Sequence, residues 1–166
     1  MIFKSARGKT FSLQVGVAAA AAVAALVGFS SPATAVPADQ VTQFNPTLAR
    51  VPGQGCSAII NAETVPQPGA GQLGVKVDVT QVGAACEPYR VAIRWKNLDT
   101  GATGGQSHKV LADGVLEHAP GNVITGMGMS PGPGRVEATL VATADQYPSH
   151  PELEQLSGMA WVTLNK

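Results

Sequence analysis

Three segments of this chain alternate apolar and polar residues with a period of two, and this pattern constrains the fold more than any other feature. Successive side chains of a β-strand point to opposite faces, so each segment is predicted to be a strand with one face on a core and one in water. The apolar positions are Leu73, Val75, Val77 and Val79, then Tyr89, Val91, Ile93 and Trp95, then Val136, Ala138, Leu140 and Ala142. Weaker patterns predict further strands at 57–65, 106–111, 115–118 and 159–165.

Turn-forming clusters rich in Gly, Pro, Asn and Asp separate these segments. About seven short strands spaced by turns predict an all-β fold, an antiparallel β-sandwich, with a barrel as the alternative. We expect Trp95 and Trp161 to lie in its core. Before the last strand, Ser149 and Glu152 fit a helix capping box and Gly158 fits a helix end, which predicts about two turns of helix.

The first 35 residues have the order of a secretory signal peptide. A basic start is followed by an uninterrupted apolar run over 15–29 and by small residues before Ala35. The run is shorter than the roughly 20 residues that cross a bilayer, although a retained anchor is the alternative. We expect cleavage between Ala35 and Val36, which predicts a secreted protein, either extracellular or associated with the cell envelope.

Removing 35 of the 166 residues leaves 131, with eight basic and 11 acidic side chains and a net charge of −3. A sparsely charged, mildly acidic surface gives no electrostatic reason to bind nucleic acid. No other apolar run predicts a membrane span in the mature chain. We divide the chain into a signal peptide (1–35), an extended flexible lead-in (36–55) and a sandwich domain (56–166).

Cys56 and Cys86 are the two cysteines of the chain. In an exported protein an even pair predicts a disulfide. On the chain-entropy model, closing a loop of about 30 residues stabilises a fold by roughly 3–4 kcal/mol. Two free thiols, or half of a metal site, are the alternatives.

The stretch Tyr89–Lys96 resembles the strand of immunoglobulin-like domains whose inward Trp fills the core, and the run from Pro131 to Leu140 resembles their penultimate strand. The resemblance implies an immunoglobulin-like or fibronectin type III-like sandwich of an exported bacterial protein. The tyrosine usual near the start of that penultimate strand is absent. Both cysteines precede Trp95, so their disulfide is predicted to join the domain's entry to a loop. Architecture of this kind names no function.

Three groups of residues are candidates for a catalytic or metal site, and each has a simpler structural interpretation. Gly128–Gly132 matches G-x-S-x-G around Ser130, but Pro-Gly turns follow in place of the helix that a nucleophile elbow requires. A cluster of Asp145, His150, Glu152 and Glu154 lacks the spacing of metal ligands, and a solvated loop and helix cap is the better interpretation. His108 and His118 are predicted at exposed positions of a hairpin. We therefore predict no catalytic residue, no metal site and no cofactor.

The best binding candidates are Arg90, Arg94 and Lys96, which are predicted to form a basic ridge on the outward face of the Trp95 strand. A solvated face, neutralised by cross-strand acids such as Asp78, Glu137 or Glu63, is the plainer interpretation of these residues. The sequence favours a non-catalytic module that acts by surface contact with an unknown protein or envelope polymer. A small secreted hydrolase or metal-dependent enzyme, and a carrier of a small apolar ligand, are the alternatives.

Overall fold

In a computed structural model, which describes residues 40–166, the chain forms two antiparallel β-sheets. The strands are β1 (Thr47–Ala49), β2 (Ser57–Val65), β3 (Gly74–Val82), β4 (Tyr89–Asn97), β5 (Thr103–Val110), β6 (Val123–Ile124), β7 (Gly134–Ala144), β8 (Gln155–Leu156) and β9 (Gly158–Leu164). Sheet A has the strand order β6-β3-β2-β1-β8 and sheet B the order β5-β4-β7-β9. Two short 3₁₀ turns, Pro120–Asn122 and Met127–Met129, are the helical elements of this part of the chain.

The two sheets share one hydrophobic core, in a β-sandwich-like arrangement. The three alternating segments became β3, β4 and β7, and their apolar positions are buried, except for a half-buried Val79. Trp95 is 9% exposed, and its indole Nε1–H donates to the carbonyl oxygen of Gly128 at 2.8 Å. The all-β prediction and the inward phase of these strands are therefore confirmed.

The prediction that Trp161 lies in the core is wrong. Trp161 is 59% exposed and lies on the outer face of β9, while Ala160, Val162 and Leu164 are buried. The phase of a strand decides which alternate residues face inward. In the short segment 159–165 both phases offered apolar residues, so the sequence did not settle the choice.

The helix predicted over 149–158 is also wrong, because tertiary hydrogen bonds compete with it. The Ala144 N–H donates to Pro151 O at 2.8 Å, and the Leu153 N–H donates to Ala142 O at 3.1 Å. The side-chain amide of Gln155 binds both backbone groups of Ala142, accepting at 2.6 Å and donating at 3.1 Å. This segment thus extends the edge of β7 and then enters β8.

Part of the range 36–55 belongs to the folded sheets. Strand β1 lies within it and pairs with both β2 and β8. The buried Thr47 hydroxyl donates to Leu140 O at 2.9 Å and accepts from the Gly158 N–H at 2.8 Å. Because Leu140 is in β7 and Gly158 in β9, this one hydroxyl joins sheet A to sheet B. The predicted signal peptide, with its cleavage site at Ala35 and Val36, lies outside the described residues.

The disulfide between Cys56 and Cys86 is confirmed, with 5.6 Å between the Cα atoms. Cys56 directly precedes β2, and Cys86 lies in the loop between β3 and β4. The disulfide therefore joins the start of the predicted domain to a loop, as the positions of the cysteines predicted. No helix in residues 40–166 combines the length and the hydropathy needed to cross a bilayer.

Candidate functional site

The predicted basic residues Arg90, Arg94 and Lys96 occupy alternate positions of β4, next to the central strand β7 of sheet B. Their side chains share the outer face of sheet B, because the intervening residues Val91, Ile93 and Trp95 are buried in the core. The three cations nevertheless have different surroundings. Those surroundings decide which of them is available to a ligand.

Arg90 is held in a polar network. Its guanidinium lies 3.4 Å from an Asp145 carboxylate oxygen and donates to Ser107 Oγ at 3.2 Å. The ammonium of Lys109 lies 3.0 Å from the second oxygen of Asp145. The hydrogen bond from Lys109, and then that from Arg90, lower the pKa of Asp145 against the opposing effect of its burial. Since the Arg90 and Asp145 side chains are only 23% and 24% exposed, Arg90 anchors the loop after β7 and is not free for a ligand.

Arg94 and Lys96 are more accessible. Arg94 makes an ion pair with Glu152, and both side chains are about half exposed. Lys96 is exposed, lies opposite Glu137 in the β4–β7 register, and makes no ion pair within the part of the chain that the structure describes. These two cations are the part of the ridge that a ligand can reach.

The acids that neutralise the ridge differ from those that the sequence suggested. Glu63 and Asp78 lie on β2 and β3 of sheet A, away from β4, and only Glu137 lies next to the ridge. The acids that form the ion pairs are Asp145 and Glu152, from the loop between β7 and β8. Cross-strand pairing rules cannot find them, because the loop folds back through its own hydrogen bonds to β7.

Two adjoining grooves flank Arg94 on this face, with volumes of about 420 and 330 Å³. Arg94 and Gly104 line both of them. A Cβ at the neighbouring Gly105 would overlap Ile93 O, so the strand needs glycine there and the floor of the groove has no side chain at that point. The remaining lining is rich in hydroxyl groups and includes Lys96, Thr103, Glu137 and Thr139 in one groove, and Ser107, Thr143, Ser149 and His150 in the other. We call this combined surface the Arg94 groove.

The other predicted constellations do not assemble into sites. Ser130 is an exposed residue between a 3₁₀ turn and Pro131, with no helix after it. Glu154 pairs with Arg50 at 3.8 Å, so the acids of the 145–154 cluster are divided among separate cations. Within residues 40–166, no group of three or more His, Cys, Asp or Glu side chains is placed to hold a metal ion.

The expectation that His108 is exposed is wrong. His108 is 8% exposed, with its Nδ1 2.9 Å from Glu117 O and its Nε2 3.0 Å from the Gln106 side-chain nitrogen. His118 is exposed and lies outside any strand, with a positive φ of 59°. The hairpin turns at Gly114, and its pairing extends to Leu116 and Glu117, so His118 lies beyond the paired residues.

An apolar row on the outer face of sheet A had no counterpart in the sequence analysis. Leu48 lies directly opposite Ile59 on one side and Leu156 on the other. These side chains are 45%, 44% and 70% exposed. Two of its three residues lie in strands β1 and β8, and the sequence analysis predicted neither strand.

Comparison with known proteins does not place this chain in a family. No family model matches it, and neither a curated protein nor a solved structure matches it. Its function has to be argued from its own residues.

Proposed function

We propose that this protein is a non-catalytic binding module, secreted or held at the cell envelope, that binds an extended anionic polymer in the Arg94 groove. The observation that carries the proposal is the position of Arg94 between two adjoining grooves, with Lys96 beside it. A single basic site would suit a small anion. Two grooves in line on a sheet face suit a chain-like ligand with repeated anionic groups.

The chemistry of the lining favours a polymer that carries both carboxylates and hydroxyls. Guanidinium groups bind carboxylates with two parallel, charge-assisted hydrogen bonds. The accessible hydroxyls of the groove, on Thr103, Thr139 and Ser149, both donate and accept, which suits the hydroxyls of a polyuronate. Glu152 competes for Arg94, but the exposed ion pair between them is worth only about 0–1 kcal/mol. A polyanion can therefore displace it at small cost.

The location outside the cytoplasm rests on two features of the chain. Disulfides persist in oxidising compartments and are rare in the cytosol, and this fold holds one between Cys56 and Cys86. The amino-terminal segment has the order of a signal peptide. An envelope or extracellular polymer is then the anion that the groove would meet.

We also infer that the domain is immunoglobulin-like, and its strand order supports this. Strands β2, β3 and β6 run side by side like strands A, B and E of that fold, and β5, β4, β7 and β9 like C′, C, F and G. The inward Trp95 then lies on the strand that carries the core Trp in such domains. Strands β1 and β8 are additions, and the disulfide lies away from the usual inter-sheet position.

The test is binding of the purified protein to alginate, a polyuronate, with uncharged dextran as the control polymer. We expect Arg94→Glu or Lys96→Glu to weaken binding by about tenfold or more, because each loses a charge-assisted contact and adds a repulsion. Lys76→Glu is the matched control, since Lys76 is an exposed strand cation on the outer face of sheet A. Its effect should be below about threefold.

A second variant tests the competition at Arg94. Glu152→Gln should tighten alginate binding, because it removes the carboxylate that holds the guanidinium. Isothermal titration of the variants at low and physiological salt would measure the change. The proposal fails if the wild type does not distinguish alginate from dextran, or if Arg94→Glu binds as the wild type does.

A further inference from the structure

Trp161 is a large aromatic side chain exposed on a regular strand. It lies in β9 on the outer face of sheet B and is 59% exposed. Of the other aromatic side chains in residues 40–166, Phe44, Tyr89 and Trp95 are buried, and Tyr147 lies in a loop. Single exposed apolar residues are ordinary on protein surfaces, so exposure alone assigns no role to Trp161. Its orientation and its neighbours are what distinguish it.

The indole of Trp161 is turned toward the Arg94 groove. Its Nε1–H donates to Oε2 of Glu137 at 3.3 Å. Glu137 lines the groove and lies directly opposite Trp161 in the β7–β9 register. On its other side Glu137 lies opposite Lys96, so these three residues form one row across the outer face of sheet B. Neighbouring strands are about 4.8 Å apart, so the backbones of Lys96 and Trp161 are roughly 10 Å apart. The indole therefore lies one strand beyond the groove, at its Lys96 end.

The chemistry of Trp161 and Glu137 together suits an uncharged sugar ring. The π face of an indole carries negative electrostatic potential. One face of a pyranose ring presents weakly positive, apolar C–H groups, so that face stacks favourably on the indole. The adjacent Glu137 carboxylate accepts hydrogen bonds, which sugar hydroxyls donate. An acidic sugar is disfavoured at the same position, because its carboxylate would lie next to that of Glu137.

We propose that the polymer bound in the Arg94 groove is a polysaccharide in which an uncharged sugar adjoins an acidic one. The acidic unit binds at Arg94 and Lys96, and the uncharged unit stacks on Trp161 with its hydroxyls on Glu137. This inference rests on the proposed function and narrows its ligand from anionic polymers in general to a heteropolysaccharide. A polyphosphate or a polymer made only of uronates has no uncharged ring to place on Trp161.

The test compares two polysaccharides of different charge pattern. Hyaluronan alternates glucuronate with uncharged N-acetylglucosamine, whereas every unit of alginate is a uronate. Charge alone favours alginate, because it carries more carboxylates for its length. We expect the opposite order, with hyaluronan oligosaccharides bound about tenfold more tightly than alginate oligosaccharides of equal length. Isothermal titration of the purified protein would measure both affinities.

Variants of the row separate stacking from charge. Trp161→Ala should weaken hyaluronan binding by about tenfold and alginate binding by less than about threefold, because the lost stacking serves the uncharged unit. Trp161→Phe keeps an aromatic face and should retain most of the preference for hyaluronan. Glu137→Gln should tighten alginate binding, because it removes the carboxylate that repels a uronate. Val82→Ala is the matched control, since Val82 is an apolar strand residue on sheet A with the same 59% exposure, and it should leave both affinities unchanged.

Fluorescence measures contact with Trp161 directly. The chain has two tryptophans, and Trp95 is only 9% exposed, so quenching by acrylamide reports mainly on Trp161. Bound hyaluronan should protect the indole from acrylamide, and bound alginate should protect it less. The same titration on Trp161→Phe should show no such protection, because the remaining Trp95 is already buried.

The outcomes distinguish this inference from the proposed function. The inference is overturned if alginate binds at least as tightly as hyaluronan, or if Trp161→Ala does not weaken hyaluronan binding more than alginate binding. In either case, a loss of both affinities in Arg94→Glu would leave the proposed function standing. Binding of neither polymer to the wild type would overturn both.

Discussion

The outer faces of the two sheets differ in chemistry: sheet B carries ion pairs, and sheet A carries an exposed apolar row. On sheet B, Arg90, Arg94 and Lys109 are ion-paired with acids from the loop after β7. On sheet A, the row of Leu48, Ile59 and Leu156 is exposed to solvent, and the Arg50–Glu154 pair lines the same shallow groove. Both faces are shaped by one segment, because residues 145–156 supply acids to sheet B and then the apolar Leu156 to sheet A.

The comparison teaches that a single connection can set the properties of two surfaces. The segment leaves β7, returns along its edge through Pro151 and Leu153, and enters β8 of the opposite sheet. The two arginines of β4 are therefore balanced by acids of this connection, whereas Leu48 and Leu156 of sheet A are aligned by strand pairing. The following changes test the two halves of this comparison.

The largest loss of stability is expected from Thr47→Val, which removes one of the hydrogen-bonded links between the two sheets. The variant leaves the Gly158 N–H and the Leu140 C=O without their buried hydroxyl partner. Since an unpaired buried polar group costs about 1–3 kcal/mol, we expect the free energy of unfolding to fall by about 2–4 kcal/mol. Chemical denaturation would measure it, with Thr80→Val as an exposed-strand control that changes stability by less than about 0.5 kcal/mol. Equal stabilities of the two variants would contradict the role of Thr47.

A smaller loss of stability is expected from Asp145→Asn, which removes the carboxylate that pairs with Arg90 and Lys109 on sheet B. Asp145 serves Arg90 and Lys109 in a partly buried network, so we expect a loss of about 1 kcal/mol at neutral pH. Glu152→Gln is the control and should cost about 0–0.5 kcal/mol, because its pair with Arg94 is half exposed.

The pH dependence of this difference has a definite sign. The pKa of Asp145 is lower in the folded state, so its contribution is present above the ordinary carboxyl range and is lost as pH falls through the folded pKa. Wild type and Asp145→Asn should therefore converge in stability below about pH 4. Denaturation curves from pH 7 to pH 2 would show it. A constant difference across that range would mean that the Asp145 charge is not what stabilises the loop.

The smallest effect on stability is expected from Leu156→Ser, which removes one side chain of the exposed apolar row on sheet A. Because Leu156 is 70% exposed, we expect the free energy of unfolding to change by no more than about 0.5 kcal/mol. The fluorescence of a bound apolar dye should decrease, since the substitution interrupts the row on sheet A. Val115→Ser, at an exposed valine in a loop, is the control. An unchanged dye signal in Leu156→Ser would show that the row does not act as one surface.

Much of the fold could be predicted from local patterns. The inward phase of β3, β4 and β7 follows from alternation over four apolar positions each, and the disulfide follows from two cysteines in a chain that the sequence predicts to be exported. Strand β1 could not be found in this way, because three residues give no period and Pro46 and Pro52 surround them. Of the candidate binding site, the sequence located the cations of β4 but neither the groove around Arg94 nor the competing Glu152.

The sequence by itself determined the secondary-structure class, the core face of the long strands and the covalent link, because these depend on neighbours in the chain or on residue type alone. Only the tertiary structure decided that Trp161 faces outward, that 149–158 is not a helix, and that Thr47 joins the sheets. Each of these depends on hydrogen bonds or packing between residues far apart in sequence. For Thr47 the partners lie 93 and 111 positions away, so no local pattern can indicate them.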